Sequence, residues 1–140
     1  MTFIWEGSPF GKHIGLKLTQ DAEGVMRAEL ALDERYGGPP AYIHGGILTA
    51  LVDEAMGAAA WAGSEPCVAV HLSIDLRKSV PLHEVFFVIG RFAGLDGKKI
   101  LTQGEIRLAS GELAVEGRGI FVKVPANIKA SLEDQYGKEL

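Results

Sequence analysis

One cysteine, Cys67, leaves no disulfide framework within the chain and no multi-cysteine metal site. In its strand-like surroundings it reads as a small buried apolar residue rather than a nucleophile. No cluster of basic residues occurs and the net charge is −4, which speaks against a nucleic-acid partner. The opening MTFIWEGSPFGKH lacks a basic stretch followed by an apolar one, so no secretory signal is expected. The longest apolar run is broken at Asp53 and Glu54, so no membrane span is expected either. HExxH, paired Cys/His spacing, the P-loop, the dinucleotide fingerprint and G-x-S-x-G are all absent. These absences leave no metal, nucleotide or serine-hydrolase reading. A soluble, cytoplasmic protein is the expectation.

What is present fits one domain spanning residues 1–140, with 47% apolar and 23% charged residues. That length supports one core, though domains of this size often gain stability by association. Phe3, Trp5 and Phe10 show no periodicity and read as aromatic plugs packing a chain end on the core. HIGLKLTQ and VMRAELAL alternate as strands about the turn DAEG, and ERYGGPPAY breaks both periodicities. A helix is predicted from about residue 45 to 61, ended by Gly63, Ser64 and Pro66. VAVHLSIDL, VFFVIGRFAGL, KILTQGEIRLA and ELAVEGRGIFVKV follow as strands, with hairpin signals at Asp96-Gly97 and Ser110-Gly111. The tail from Ala126, with Lys129, Glu133 and Lys138, reads as a short surface helix or a frayed end.

Late hairpins require antiparallel pairing, so the class is α+β. The helix is apolar nearly all round, which calls for burial, and a curled antiparallel sheet wrapped around it satisfies that. Its exception is a stripe of Gly46, Thr49, Asp53 and Gly57, which share one face. An Asp there is costly to bury without partners. Either it accepts hydrogen bonds from a neighbouring loop, or both acids face a wet sheet edge, or it does chemistry. His44-Gly45-Gly46 opens the same helix, where unpaired N–H groups suit a developing oxyanion. Gly45 and Asp53 are separated by roughly 12 Å along the axis at 1.5 Å per residue. One carbonyl cannot touch both from a single helix, whereas an antiparallel second copy brings them together twice. The geometry asks for a dimer.

HGGILTALVD, with Asp53 nine residues after His44, resembles the signature of hotdog-fold acyl-CoA thioesterases of the phenylacetate-pathway and 4-hydroxybenzoyl-CoA type. YGGPPAYIHGG is similar to the lead-in of thioesterase superfamily members four and five, and HLSIDLRKSVPLHE is similar to the family's third strand and its exit. Ser79 and His83 stand there at positions often Pro and Gly. The resemblance covers about residues 13–125 and leaves short extensions at both ends. It implies a hotdog fold, a curved antiparallel β-sheet around one long central α-helix, paired as a homodimer or dimer of dimers.

By position, the resemblance makes Asp53 the catalytic carboxylate, acting as nucleophile or general base. It makes Gly45 the residue whose N–H polarises the thioester carbonyl, and His44 a residue that orients this loop or lies near the thiol. Gly46 and Thr49 are then expected to contact substrate. Arg77, Lys78 and Lys98, with Lys99, are candidate partners for coenzyme A phosphates or else solvated loop charges. Coenzyme A is part of the substrate and no separate cofactor is implied. Two positions depart from the pattern: Gly38 replaces a frequent Asn or Gln, and Ala69 a frequent Ser or Thr. Thr49 or His71 is a possible substitute, while His13 and His83 read as surface residues.

Three functions compete: an acyl- or aryl-CoA thioesterase, a hotdog dehydratase, and a non-catalytic acyl-CoA-binding module. A dehydratase places its acid where Leu51 stands, which argues against it. Gly38 and Ala69 favour the binding module; an awkward buried Asp53 favours the thioesterase.

Overall fold

The computed structural model describes residues 4–5, 7–125, 127–128, 130–131 and 134. Phe3 and the tail residues Ala126, Lys129, Glu133 and Lys138 lie outside the described residues. The chain runs β1 (Ile4–Trp5), α1 (Pro9–Ile14), β2 (Leu18–Gln20), β3 (Met26–Leu30), a 3₁₀ turn (Glu34–Tyr36) and α2 (Gly45–Gly63). Four long strands complete it: β4 (Cys67–Leu76), β5 (Phe86–Asp96), β6 (Lys99–Leu108) and β7 (Leu113–Lys123). All pair antiparallel in one sheet ordered β1-β2-β3-β5-β6-β7-β4. This curved sheet around one long helix is the hotdog fold that the resemblance implies.

The helix and the four long strands match their expected positions to within two or three residues. The two hairpins do as well: Asp96 pairs with Lys99 around Gly97 at φ +61°, and Gly111 at φ +92° turns β6 into β7. The N-terminus differs. The strand expected from His13 is confined to Leu18–Gln20, and Pro9–Ile14 is helical. The cause is local. Ser8 caps the Gly11 N–H, Pro9 starts the helix with its φ preset, and Gly15 at φ +81° ends it in the left-handed region.

A row of glycines lets α2 lie directly on the sheet. Gly90, Gly104 and Gly117 face one another across β5, β6 and β7. A Cβ at Gly90 would stand 2.1 Å from the Ala55 carbonyl oxygen. One at Gly104 or Gly117 would stand 2.8 Å from Val52 Cγ1. With side chains there the helix would have to rise, and its apolar face would lose contact. Leu51, Val52, Ala55 and Met56 are fully buried on that face. Burying a large apolar side chain is worth about 1.5–3 kcal/mol. Gly46, Thr49, Asp53 and Gly57 are not fully buried, so the polar stripe is the side left open.

β4 ends the sheet and, among the described residues, pairs only with β7. Its apolar residues Val68, Val70 and Leu76 are 45%, 59% and 55% exposed. An edge strand with that composition is normally covered.

Candidate active site

The helix start is built from a tight lead-in. Gly38 N–H donates to the Tyr42 carbonyl, His44 N–H to the Tyr36 carbonyl, and Ile43 N–H to the Val80 carbonyl. His44 is the N-cap, and its Nδ1 accepts from the Gly46 N–H at 2.8 Å. That bond makes Nδ1 the acceptor and leaves Nε2 as the nitrogen that carries hydrogen. It also occupies Gly46, an expected substrate contact. The N–H of Gly45, first in the helix, has no acceptor among the described residues. Thr49 Oγ1 donates back to the Gly45 carbonyl at 2.9 Å, so its proton serves the helix.

Gly45 lines a cavity of about 250 Å³ with Pro39, Tyr42, Leu76, Arg77 and Lys78. The structure thus brings together three residues singled out from sequence. Both cations have acidic neighbours: Lys78 pairs with Glu112, and Arg77 lies 3.8 Å from Asp75 and 3.7 Å from Glu116. Lys98 is elsewhere, sharing a cavity with Glu65, Leu95 and Lys123.

Asp53 opens onto a different cavity, about 190 Å³, lined by Trp5, Glu54, Gly57, Trp61, Cys67, Val68, Ala69 and Phe121. Burial raises its carboxyl pKa above the ordinary value, and the neighbouring Glu54 charge adds to this. No hydrogen bond to Asp53 forms among the described residues to offset the lost solvation. Glu54 is the acid that takes the loop hydrogen bonds considered for Asp53. It accepts from Trp5 Nε1 at 2.7 Å, Ser8 Oγ at 2.8 Å and Ser8 N–H at 3.3 Å. Cys67 is buried, and its thiol is pushed up to about 12 by burial and then by Glu65, which leaves it protonated and inert.

The departures have structural reasons. A Cβ at Gly38 would lie 2.9 Å from His44 Cα, so this lead-in has no room for the frequent Asn or Gln. Ala69 lines the Asp53 cavity without a hydroxyl to offer. His71 sits opposite Ile120 and lines a cavity with Ser73 and Arg118, apart from the one onto which Asp53 opens. It is exposed. His83 is exposed, approaches Glu34 at 2.5 Å, and adopts φ +65°, a backbone that favours glycine at such positions. Sequence reasoning missed Trp5, Trp61 and Phe121 as cavity walls. The aromatic residue types were visible, but their meeting point was not.

A family model of the Thioesterase superfamily matches residues 41–115, over half of the chain. The chain belongs to the thioesterase superfamily. It is 27% identical over 88 residues to the acyl-coenzyme A thioesterase THEM4 of Xenopus laevis, covering 62% of this chain and 40% of that protein. The chain therefore spans about two fifths of that curated relative. Among solved structures, a thioesterase superfamily protein is 34% identical with a TM-score of 0.74, covering 76% of this chain and 53% of its own. The E. coli PaaI protein from the phenylacetic acid degradation operon shares the fold at a TM-score of 0.76 and 16% identity, covering 86% and 87%. So does smu.793 of Streptococcus mutans, solved bound to acetyl CoA, at 0.68 and 15%, covering 72% and 82%. No helix among the described residues is long and apolar enough to cross a membrane.

Proposed function

We propose that this chain is an acyl-CoA thioesterase whose active sites form between two antiparallel copies. The observation that carries this is the position of two half-sites at opposite ends of one open strand. The Asp53 cavity meets β4 at Cys67, Val68 and Ala69, and the Gly45 cavity meets it at Leu76. If β4 pairs antiparallel with its own copy about its middle, Val68 lies beside the partner's Asp75. Asp53 then approaches the partner's Gly45, and the exposed apolar edge is covered in the same step. Lys123, which pairs with Cys67 and shares a cavity with Lys98, places that lysine at the same end of the strand. The pairing joins Lys98 to the partner's Arg77 and Lys78, a cationic rim for coenzyme A phosphates.

In this site the thioester carbonyl accepts from the Gly45 N–H at the positive end of α2. Asp53 either attacks the carbonyl carbon or removes a proton from water as it adds. The tetrahedral oxyanion stays on the Gly45 N–H and collapses, breaking the C–S bond and expelling the coenzyme A thiolate. Thiols are acidic relative to alcohols, so the thiolate leaves without a dedicated acid. In the general-base route, it recovers the proton from Asp53; in the nucleophile route, water then cleaves the mixed anhydride on Asp53, which frees the acid, restores the carboxylate and supplies the thiolate's proton. Binding of acetyl CoA by a protein of the same fold supports the substrate class.

Gly45→Pro tests the reading with the helix start kept. Proline suits the first helical position, and His44 at φ −60°, ψ 132° already has the backbone a residue before proline adopts. The substitution removes the N–H and adds a ring whose Cβ would stand 3.0 Å from the end of the Leu76 side chain, which has to turn aside; it should cost about 10²–10³ in thiol release. Asp53→Asn should cost about 10²–10⁴. After co-refolding of equal amounts, half the dimers are mixed and each holds one intact site. About a quarter of wild-type activity should then return. No recovery would falsify the shared site, and tight acyl-CoA binding without turnover by the wild type would favour the binding module.

A further inference from the structure

The proposed chemistry does not need the N-terminal segment, yet the fold fastens it to the residue next to Asp53. Among the described residues Glu54 accepts three hydrogen bonds, all from Trp5 and Ser8. Gly7, at φ +85°, packs so closely that a Cβ would lie 3.1 Å from Glu54 Oε2 and 3.2 Å from Trp5 Nε1. A charged anchor on a part-buried helix face is poor economy if the segment only covers apolar surface, since an apolar contact would serve as well. The clamp does fix where one ring stands. Trp5 is 5% exposed and meets Trp61 edge-on, with centroids 5.2 Å apart at 77°.

These two indoles, with Phe121 and Cys67, wall the cavity onto which Asp53 opens. The cavity measures about 190 Å³. An engineered apolar cavity of about 150 Å³ in another protein takes up benzene. By that measure the space between these walls in one copy takes a single ring or a short chain of about eight non-hydrogen atoms.

We propose that Trp5 is a specificity-determining residue: held by Glu54, it is the end wall of the acyl pocket and restricts substrates to compact acyl groups. The proposal rests on the thioesterase reading for the identity of the pocket. Glu54 acts through Trp5 and is a positioning residue.

The test measures kcat/KM for butanoyl-, benzoyl-, octanoyl- and hexadecanoyl-CoA, with Kd values for S-butyl- and S-octyl-CoA, which cannot be hydrolysed. Wild type should favour butanoyl and benzoyl over hexadecanoyl. Trp5→Ala should raise the octanoyl-to-butanoyl ratio by at least about tenfold, the lower end of what pocket contacts discriminate. Trp5→Leu keeps an apolar contact with Trp61 and gives the same direction if the alanine variant does not fold. Glu54→Ala should shift the ratio likewise, and Glu54→Gln, which still accepts from Trp5, should restore it. An unchanged ratio in folded Trp5 variants, or wild-type hydrolysis of hexadecanoyl-CoA as fast as butanoyl-CoA, overturns the proposal. If no thioester is hydrolysed, the thioesterase reading fails and the thioethers decide: a raised octyl-to-butyl affinity ratio in Trp5→Ala supports the wall, and an unchanged ratio or no binding overturns it.

Discussion

Asp53 and Glu54 are adjacent in sequence and opposite in circumstance. Glu54 accepts three hydrogen bonds from the N-terminal segment, whereas Asp53 accepts none among the described residues and has its pKa raised by burial and by Glu54 itself. A carboxylate kept where it loses solvation and gains no partner costs stability, and the proposed reaction gives that cost a purpose.

Asp53→Asn should therefore separate stability from function. Removing the ionisable group should raise the unfolding free energy at neutral pH by about 1 kcal/mol while thiol release collapses. Urea unfolding of the two proteins checks this. A clear loss of stability in the variant would mark Asp53 as a structural acceptor.

The pH dependence follows from the raised Asp53 pKa. The folded state holds this proton more tightly than the unfolded chain, so its stabilising contribution is complete below 3.8 and is lost as pH rises through the folded value. The proposed chemistry needs the ionised form, so kcat/KM should rise with pH along a limb above 3.8. In Glu54→Gln the like charge is gone, and the limb should move to lower pH. A limb that stays put would mean that burial alone sets it.

His44→Ala removes the acceptor for the Gly46 N–H and should cost about 1 kcal/mol. His44→Asn, a good N-cap, should regain most of that. Comparing thiol release in the two variants then isolates the imidazole. Activity restored along with stability limits His44 to capping, and activity still low in a stable His44→Asn protein gives the ring a second task.

Across the glycine row the damage should be graded. Gly90→Ala meets the Ala55 backbone carbonyl, which cannot yield without moving the helix, and should cost about 3 kcal/mol or more. Gly104→Ala meets the flexible Met56 side chain and Val52, and should cost about 1–3 kcal/mol. Thermal unfolding gives the order, and equal losses would mean that the helix is free to shift.

The sequence showed the long helix, the strands from β4 onward and both hairpins because each has a local period or turn signal. The open stripe of Gly46, Thr49, Asp53 and Gly57 was legible for the same reason. α1 is not legible although Ser8, Pro9 and Gly15 spell its ends, because six residues leave little periodicity to see. Glu54's partners were out of reach, since Trp5 lies 49 positions away in the chain. The glycine row was equally hidden: Gly90, Gly104 and Gly117 become one feature only when strand register is known.

That row also acts as a fulcrum. Ala55 bears on it, while Gly45 lies ten residues further along the helix, a lever arm of roughly 15 Å. A tilt of about 4° about this point carries the helix start by roughly 1 Å and leaves Asp53, two residues from the pivot, almost still. A misplacement of about 1 Å at a reacting group costs about a hundredfold in rate. In the proposed site, a small wedge beneath the middle of the helix would thus spoil the hold on the carbonyl while sparing the acid. Aim at the helix start is set from the centre of the sheet.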